Sequence, residues 1–330
     1  GDVDRSWNGF KAQLPIMQSM SMSGVPTMHS DAGGFAMGER DPELYLRWLQ
    51  MAVFTPIFRP HGSVNAPDPS IPQIESEPVF YDEPNKSILR KFVQSRYQLM
   101  PYVYTLMYEA ATKGTPLVRP MFFHDNTDSN LYKATDQYMF GDALLVAPVL
   151  EKAAAKRRLY LPKGLWYDFF QPSKTYNGGM WIETDVTAER IPVFVKGGSV
   201  IPMRPVFDNT AHYPKDELAL HYFAADGSAA GIMYEDDGMN PKAIAAKQFE
   251  LIQLYGMKKE NHTVLRFKSN GFYTGKPLQR NMELFVHGIS APNDVLINKA
   301  VWKKWMIHDD GSIHVPKFEW KGAEVTVEIK

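Results

Sequence analysis

Three polar clusters near the start of the chain contain the side chains best suited to chemistry. They are "GDVD" with Asp2, "HSDAGGF" with Asp31, and "FRPHG" with Arg59 and His61. Carboxylate, guanidinium and imidazole groups together accept and donate hydrogen bonds to adjacent hydroxyl groups, as a polyhydroxylated substrate requires. The combination favours a sugar-binding site, although it does not by itself fix a reaction.

Each of these residues also has a structural interpretation. Asp2 follows a glycine, as turn residues often do, Asp31 suits an Asx-turn, and His61 after a proline suits a surface loop. Arg59 is equally suited to an ion pair that stabilises the fold. We favour a shared site because all three clusters follow predicted strands.

Aromatic residues accompany the polar clusters. Trp7 and Phe35 are close enough in sequence to cover the apolar face of a sugar ring. The wider composition does not decide the matter, because 7 Trp and 16 Tyr are equally typical of β-sandwich cores. The two rings are therefore candidates by position only.

The elements that position these clusters alternate between strands and helices. The segments "GVPTMHSD" and "AVFTPIFRPH" are predicted as strands that end in polar residues. Asp41 before Pro42 predicts a helix start, and apolar spacing predicts a longer helix over Pro84–Lys113, kinked at Pro101 and ended by Gly114. In a βα arrangement, residues at the carboxyl ends of strands converge on one face, where sites are found.

After Pro116 the sequence changes to short β-rich runs separated by turn residues, which is typical of antiparallel sandwiches. We predict a linker at "RPVFDNTAHYPKDE" and a second small β domain beyond it. The "EDDG" stretch, Glu235 to Gly238, is interpreted as a solvated turn in preference to a calcium site, because the spacing of a dedicated calcium loop is missing. The proline-rich segment 62–83 is predicted to be a long loop, either a lid or disordered.

The composition excludes several classes of partner. The 36 basic and 37 acidic side chains give a formal net charge of −1, without the basic patch that nucleic acid or an anionic membrane attracts. The chain has no cysteine and therefore no disulfide or thiolate metal site, and it has no apolar stretch long enough for membrane insertion. The first 20 residues lack the pattern of a secretory signal.

The motifs, taken in order, resemble the carboxyl-terminal half of glycoside hydrolase family 31, which contains α-glucosidases, α-xylosidases and α-transglucosylases. The resemblance covers residues 1 to about 240 and rests on "GDVDRSW", "GVPTMHSDAGGF", "PIFRPHG", "DQYMFGDALLVAPV", "LYLPKGLWYDFF", "IPVFVKGGSVIP" and "YEDDG". It implies an α/β plus all-β fold: the C-terminal part of a (β/α)8 TIM barrel over residues 1–115, a proximal β-sandwich over 116–205 and a distal β-sandwich over 206–330.

The resemblance also implies roles for individual residues. Asp2 matches the general acid/base, Asp31 and Phe35 match residues that line the sugar subsite, and Arg59 and His61 match a pair of which the histidine bonds the sugar ring. The family's Asp nucleophile and its surrounding motif are missing from this sequence. We expect the nucleophile to belong to an N-terminal portion of the protein outside these residues.

The resulting prediction is a retaining α-glycosidase of the α-glucosidase type that hydrolyses terminal α-linked glucosyl residues of short oligosaccharides. Two alternatives within the family are an oligosaccharide α-glucosyltransferase and an α-xylosidase, and a third is a noncatalytic carbohydrate-binding protein. An inverting pair formed by Asp2 and Asp4 is a further alternative, because alternate residues of a strand lie about 6.5 to 7 Å apart. Such hydrolysis needs no metal or organic cofactor, and a periplasmic or secreted location is favoured over a cytoplasmic one.

Overall fold

The computed structural model describes residues 2–63 and 74–330. The helices are α1 (Trp7–Met22), α2 (Pro42–Ala52), α3 (Asn85–Gln98), α4 (Met100–Lys113) and α5 (Ser129–Lys133). The strands are β1 (Asp4–Arg5), β2 (Ala36–Gly38), β3 (Val118–Arg119), β4 (Tyr138–Phe140), β5 (Leu144–Val146), β6 (Lys156–Leu161), β7 (Leu165–Asp168), β8 (Thr175–Asn177), β9 (Met180–Asp185), β10 (Val193–Lys196), β11 (Val200–Met203), β12 (Glu217–Phe223), β13 (Gly227–Glu235), β14 (Phe249–Lys259), β15 (His262–Phe272), β16 (Arg280–His287), β17 (Val295–Ile297), β18 (Ala300–Val301), β19 (Met306–Ile307), β20 (Ile313–Trp320) and β21 (Val325–Ile329).

The chain divides into two compact units. Unit 1 comprises Gly1–Arg96, Glu109–Lys163 and Asn177–Phe194, and unit 2 comprises Tyr97–Tyr108, Gly164–Tyr176 and Val195–Lys330. The segments alternate along the chain, so the units are not consecutive stretches of sequence. The division into domains 1–115, 116–205 and 206–330 stays a prediction.

The helix starts in unit 1 follow local sequence signals. The Ser6 hydroxyl accepts a hydrogen bond from the Gly9 amide at 2.9 Å and caps α1. The predicted start of α2 is confirmed, because Pro42 is its first residue and the Asp41 carboxylate accepts from the amides of Glu43 and Leu44. The ring of Phe10 on α1 stacks on that of Trp48 on α2 at 5.0 Å, and both side chains are fully buried.

The predicted helix over Pro84–Lys113 is two helices rather than one kinked helix. The first, α3, ends at Gln98 and α4 begins at Met100, with Leu99 between them. Pro101 has no N–H for the carbonyl four residues earlier, which removes the bond that would continue the helix. The predicted end is confirmed, because Gly114 has φ +70° and its amide donates to the carbonyl of Ala110.

The two predicted strands in "GVPTMHSD" and "AVFTPIFRPH" do not form. In the described residues of these segments the β pairing is a single parallel bridge between Ala32, just after the first segment, and Pro60. Proline lacks the N–H of a ladder, and Pro26, Pro56 and Pro60 interrupt both segments. A short parallel pair of β1 with β2 is present instead. Of the predicted long loop, residues 64–73 lie outside the described residues.

Unit 2 contains two sheets around one apolar core. Their strand orders are β11-β12-β16-β20-β19 and β13-β14-β15-β21-β17-β18. Alternate residues of a strand, such as Leu218, Leu220 and Tyr222 of β12, face the core, as the period of two in a strand requires. The β-rich runs predicted in this part of the chain form strands, as expected.

The interpretation of "EDDG" as a solvated turn is wrong for its first two residues. Glu235 is 2% exposed and bonds Arg204 and Arg280, while Asp236 is 6% exposed. The predicted linker is likewise more than a connection, because its Arg204 is fully buried. These charged side chains can be buried because segments distant in sequence bring oppositely charged groups into contact with them.

Candidate active site

Backbone hydrogen bonds in unit 1 join the three segments that carry the predicted site residues. The carbonyl of Val3 accepts from the amides of Phe35 and Ala36 at 2.8 and 3.2 Å, and the amide of Ser63 donates to the carbonyl of Phe35 at 2.7 Å. The amide of Ala32 donates to the carbonyl of Arg59 at 3.0 Å. The three segments are therefore neighbours, as predicted, although the parallel pairing that links them is much shorter than expected.

Asp31 lies buried between two basic side chains. Its Oδ1 atom is 3.7 Å from Nη1 of Arg59 and 3.7 Å from Nδ1 of His29, and the residue is 9% exposed. These separations exceed a hydrogen bond, and Oδ1 has no hydrogen-bond partner among the described residues. A buried carboxylate oxygen without a partner is costly. A ligand hydroxyl placed between the three groups would satisfy it.

Phe35 and His61 form an aromatic pair. Their ring centroids are 5.5 Å apart with 41° between the planes, and both residues are half-buried. The backbone of Phe35 is fixed on both sides, because its amide donates to Val3 and its carbonyl accepts from Ser63. The pair offers one apolar face beside a ring nitrogen, which suits one face of a sugar ring.

Asp2 is exposed, and it precedes β1 rather than following a strand of the described structure. The carbonyl of Val3, the next residue, accepts a hydrogen bond from the amide of Phe35 and so holds the segment of Asp2 beside Phe35. Asp4 begins β1, so the two carboxylates do not belong to one strand and the geometric basis for an inverting pair is missing.

Trp7 is the predicted site residue whose contacts are directed elsewhere. It is the first residue of α1, its indole N–H donates to the Asp41 carboxylate at 3.2 Å, and its ring packs edge-on against Phe10 at 6.3 Å. Asp41 also accepts from Lys152. Burial by itself would raise the pKa of Asp41. Hydrogen bonds from Lys152, the Leu44 amide and Trp7 outweigh burial and lower that pKa. The role of Trp7 in sugar binding stays a prediction.

Sequence reasoning did not single out Arg5 or His29. The Arg5 guanidinium donates to the carbonyls of Met37 at 3.3 Å and Ser63 at 3.0 Å. Burial lowers the pKa of Arg5, while Tyr81 acts in the opposite direction. His29 is only two positions from Asp31, and its spacing in "HSD" was the available signal. For Arg5 the only available signal was the presence of glycines, which permit close approach, in loops distant from it in sequence.

The described residues contain no cluster of three or more His, Cys, Asp or Glu side chains placed to hold a metal ion. Within the same residues no helix is both long and apolar enough to span a membrane.

Comparison with known proteins identifies two segments of the chain. Residues 1–106 match the model of the glycosyl hydrolases family 31 TIM-barrel domain, and residues 114–201 match that of the glycosyl hydrolase family 31 C-terminal domain. Alpha-glucosidase 2 of Bacillus thermoamyloliquefaciens is 31% identical over 83% of the chain and 33% of its own length. An alpha-xylosidase of Saccharolobus solfataricus is 30% identical over 80% of the chain and 35% of its own length.

A solved structure agrees with these relatives. A family 31 dextranase of Flavobacterium johnsoniae, in complex with isomaltotriose, superposes with a TM-score of 0.88 and 28% identity, covering 98% of this chain and 42% of that one. The chain thus spans about a third of the length of the curated relatives it matches.

Proposed function

Since the chain belongs to glycoside hydrolase family 31, we propose that it is the carboxyl-terminal portion of a retaining α-glycosidase of the α-glucosidase type. Its substrates are short oligosaccharides with terminal α-linked glucosyl residues. The observation that carries the proposal is the buried Asp31 carboxylate, whose unpartnered Oδ1 faces Arg59 and His29 at 3.7 Å. Such a gap between donors and an acceptor suits a sugar hydroxyl.

In the proposed mechanism Asp2 is the general acid/base. A carboxylate from a part of the protein outside these residues attacks the anomeric carbon, about 5 to 5.5 Å from the acid as retention requires. Asp2 gives its proton to the departing glycosidic oxygen and then takes one from the water that hydrolyses the glycosyl-enzyme. The exposure of Asp2 leaves its carboxylate accessible to that oxygen.

The remaining residues position the ring. Asp31 accepts a hydrogen bond from a hydroxyl group, Arg59 donates one, and the Phe35–His61 pair contacts an apolar face while the imidazole bonds the ring edge. Hydrogen bonds that shorten as positive charge develops at the anomeric carbon favour the transition state over the bound substrate, and only that difference accelerates the reaction.

A xylosyl substrate is the second candidate, because a relative at 30% identity is named an alpha-xylosidase. Transfer to a sugar hydroxyl instead of water is a further outcome of the same mechanism, since Asp2 can deprotonate either acceptor. The proposed roles of Asp2 and of the residues that position the ring are the same for both sugars and for both acceptors.

The test uses the polypeptide of the complete open reading frame beside its Asp2→Asn variant. Asp226→Asn, an exposed aspartate of unit 2, serves as the matched control. Each protein is incubated with maltose, isomaltotriose and the p-nitrophenyl α-glucoside and α-xyloside, and products are separated to detect transfer. We expect glucoside turnover that Asp2→Asn reduces and the control retains. Sugar binding without turnover by the wild-type protein would instead identify a noncatalytic module.

A further inference from the structure

We propose that Arg5 is a positioning residue of the active site, because its guanidinium ties together the loops that carry Asp2, Phe35 and His61. The inference rests on the proposed function, from which it takes the role of Asp2 as acid/base. It adds a residue that neither touches substrate nor appears among the predicted site residues.

Arg5 connects the three loops through its own position and two hydrogen bonds. It follows Asp2 along the same segment, and its backbone pairs with β2. One guanidinium nitrogen donates to the carbonyl of Met37, beyond Phe35, and the other donates to the carbonyl of Ser63, beyond His61. A planar fork that serves two acceptors is a geometry lysine cannot reproduce.

Glycines in both partner loops allow those loops to lie close to the backbone and the side chain of Arg5. A Cβ atom on Gly34 would lie 2.8 Å from Cα of Arg5, and one on Gly38 would lie 2.4 Å from its carbonyl oxygen. A Cβ on Gly62 would lie 2.8 Å from the guanidinium nitrogen Nη2. Three close approaches to one residue, from two loops far apart in sequence, mark Arg5 as the centre of this packing.

Gly62 separates steric from conformational effects. Gly34 and Gly38 have φ values of +86° and +75°, so an alanine there would also strain the backbone. Gly62 has no such φ. The nearest atom to a Cβ on Gly62 is the guanidinium nitrogen at 2.8 Å, followed by the carbonyl oxygens of Phe35 at 3.2 Å and Gly34 at 3.4 Å. Gly62→Ala therefore displaces the guanidinium from the carbonyl of Ser63 first and presses on these two carbonyls to a lesser degree.

The consequence for catalysis follows from distance. A proton donor must lie within hydrogen-bond reach of the departing oxygen, and a displacement of about 1 Å can cost about 10²-fold in rate. Without the Arg5 side chain the segment of Asp2 keeps its backbone bonds to Phe35 and β2 but loses its direct link to the loop of His61, so that only the indirect link through Phe35 and Ser63 remains. We expect proton donation to suffer more than sugar binding.

The experiment compares substrates that differ in their need for a proton. In the complete polypeptide, kcat/KM is measured for maltose, whose leaving group must be protonated, and for α-glucosyl fluoride, whose leaving group needs little proton donation. For Arg5→Ala we expect about a 10²-fold loss on maltose and a much smaller loss on the fluoride. Arg5→Lys should recover part of the maltose activity, and the KM for maltose should change less than kcat. An equal loss on both substrates would show only a smaller folded fraction and would overturn the proposal.

Asp2→Asn distinguishes failure of this inference from failure of the proposed function. If Asp2 is the acid, its variant loses maltose activity by about 10²- to 10⁴-fold while sparing the fluoride. Absence of that signature overturns the proposed function itself. Its presence in Asp2→Asn but not in Arg5→Ala overturns only the role of Arg5.

A double-mutant cycle tests whether the two residues act as one unit. Gly62→Ala alone should reduce maltose activity in the same substrate-selective way, and should add little in the Arg5→Ala background. Gly231→Ala is the matched control, because its Cβ would meet open space. Independent, multiplying effects of Arg5→Ala and Gly62→Ala would contradict a shared role.

Discussion

Acidification should weaken unit 2 through a buried histidine. His287 is 4% exposed, its ring stacks on Phe223 at 4.5 Å, and its Nε2 atom lies 3.3 Å from Nδ1 of His221. Burial lowers the pKa of His287 to about 4, with Asp310 acting to raise it and His308 to lower it. The imidazole of His287 therefore stays neutral in the folded protein at pH values at which the unfolded chain would protonate it.

The sign and size of the effect follow from linkage. With an unfolded pKa of 6.5 and a folded value of about 4, the unfolded state binds more protons below pH 6.5. Stability from His287 is fully present above that pH and is lost as the pH falls toward 4. At pH 4.5 the loss amounts to about 2 to 3 kcal/mol. Carboxylates with lowered pKa values, such as Glu250, also contribute stability that is lost as the pH falls. Their contribution is lost mainly at pH values below those at which His287 acts.

The assay is hydrogen exchange of peptides from β12, β16 and β20 at pH 7.5 and 4.5, corrected for intrinsic exchange rates. The glutamine of the His287→Gln variant cannot titrate, so we expect the stability of the variant to fall less than that of the wild type, by about 2 to 3 kcal/mol over this interval. His212→Gln is the control, since that side chain is 66% exposed. Equal pH dependence of wild type and His287→Gln would refute the reasoning.

Further substitutions test the other contacts. Asp31→Asn should reduce transition-state stabilisation by about 2 to 4 kcal/mol in kcat/KM with a smaller loss of folding stability, because Oδ1 accepts no hydrogen bond and its ion pairs with Arg59 and His29 are as long as 3.7 Å; an equal loss of stability would contradict this. Arg280→Ala removes one of the two cations beside each of two buried glutamates, leaving Glu235 with Arg204 and Glu250 with Lys276, and should cost about 3 kcal/mol in urea unfolding. Gly256→Ala would place a Cβ 2.4 Å from a buried tyrosine ring and should cost about 1 to 3 kcal/mol, whereas Gly231→Ala should be nearly neutral by the same measurement. Asp41→Ala removes the cap of α2 and should cost about 1 kcal/mol in thermal unfolding.

The sequence by itself determined features that depend on neighbouring residues. The start of α2 at Pro42 and the stop of α4 at Gly114 rest on capping and on backbone preferences, which operate within a few positions. The strands of unit 2 were predictable for the same reason, since side chains alternate between core and solvent. The motifs also indicated that the segments of Asp31 and Arg59 approach each other.

Only the tertiary structure decided features that depend on partners far along the chain. The burial of Glu235 requires Arg204 and Arg280, which are 31 and 45 positions away in sequence. Considered without those partners, the "EDDG" sequence indicates a solvated turn. The hydrogen bonds of Arg5 reach across 32 and 58 positions. A charged side chain leaves water only where donors and acceptors from other segments replace its hydration, and no local pattern specifies which segments those will be.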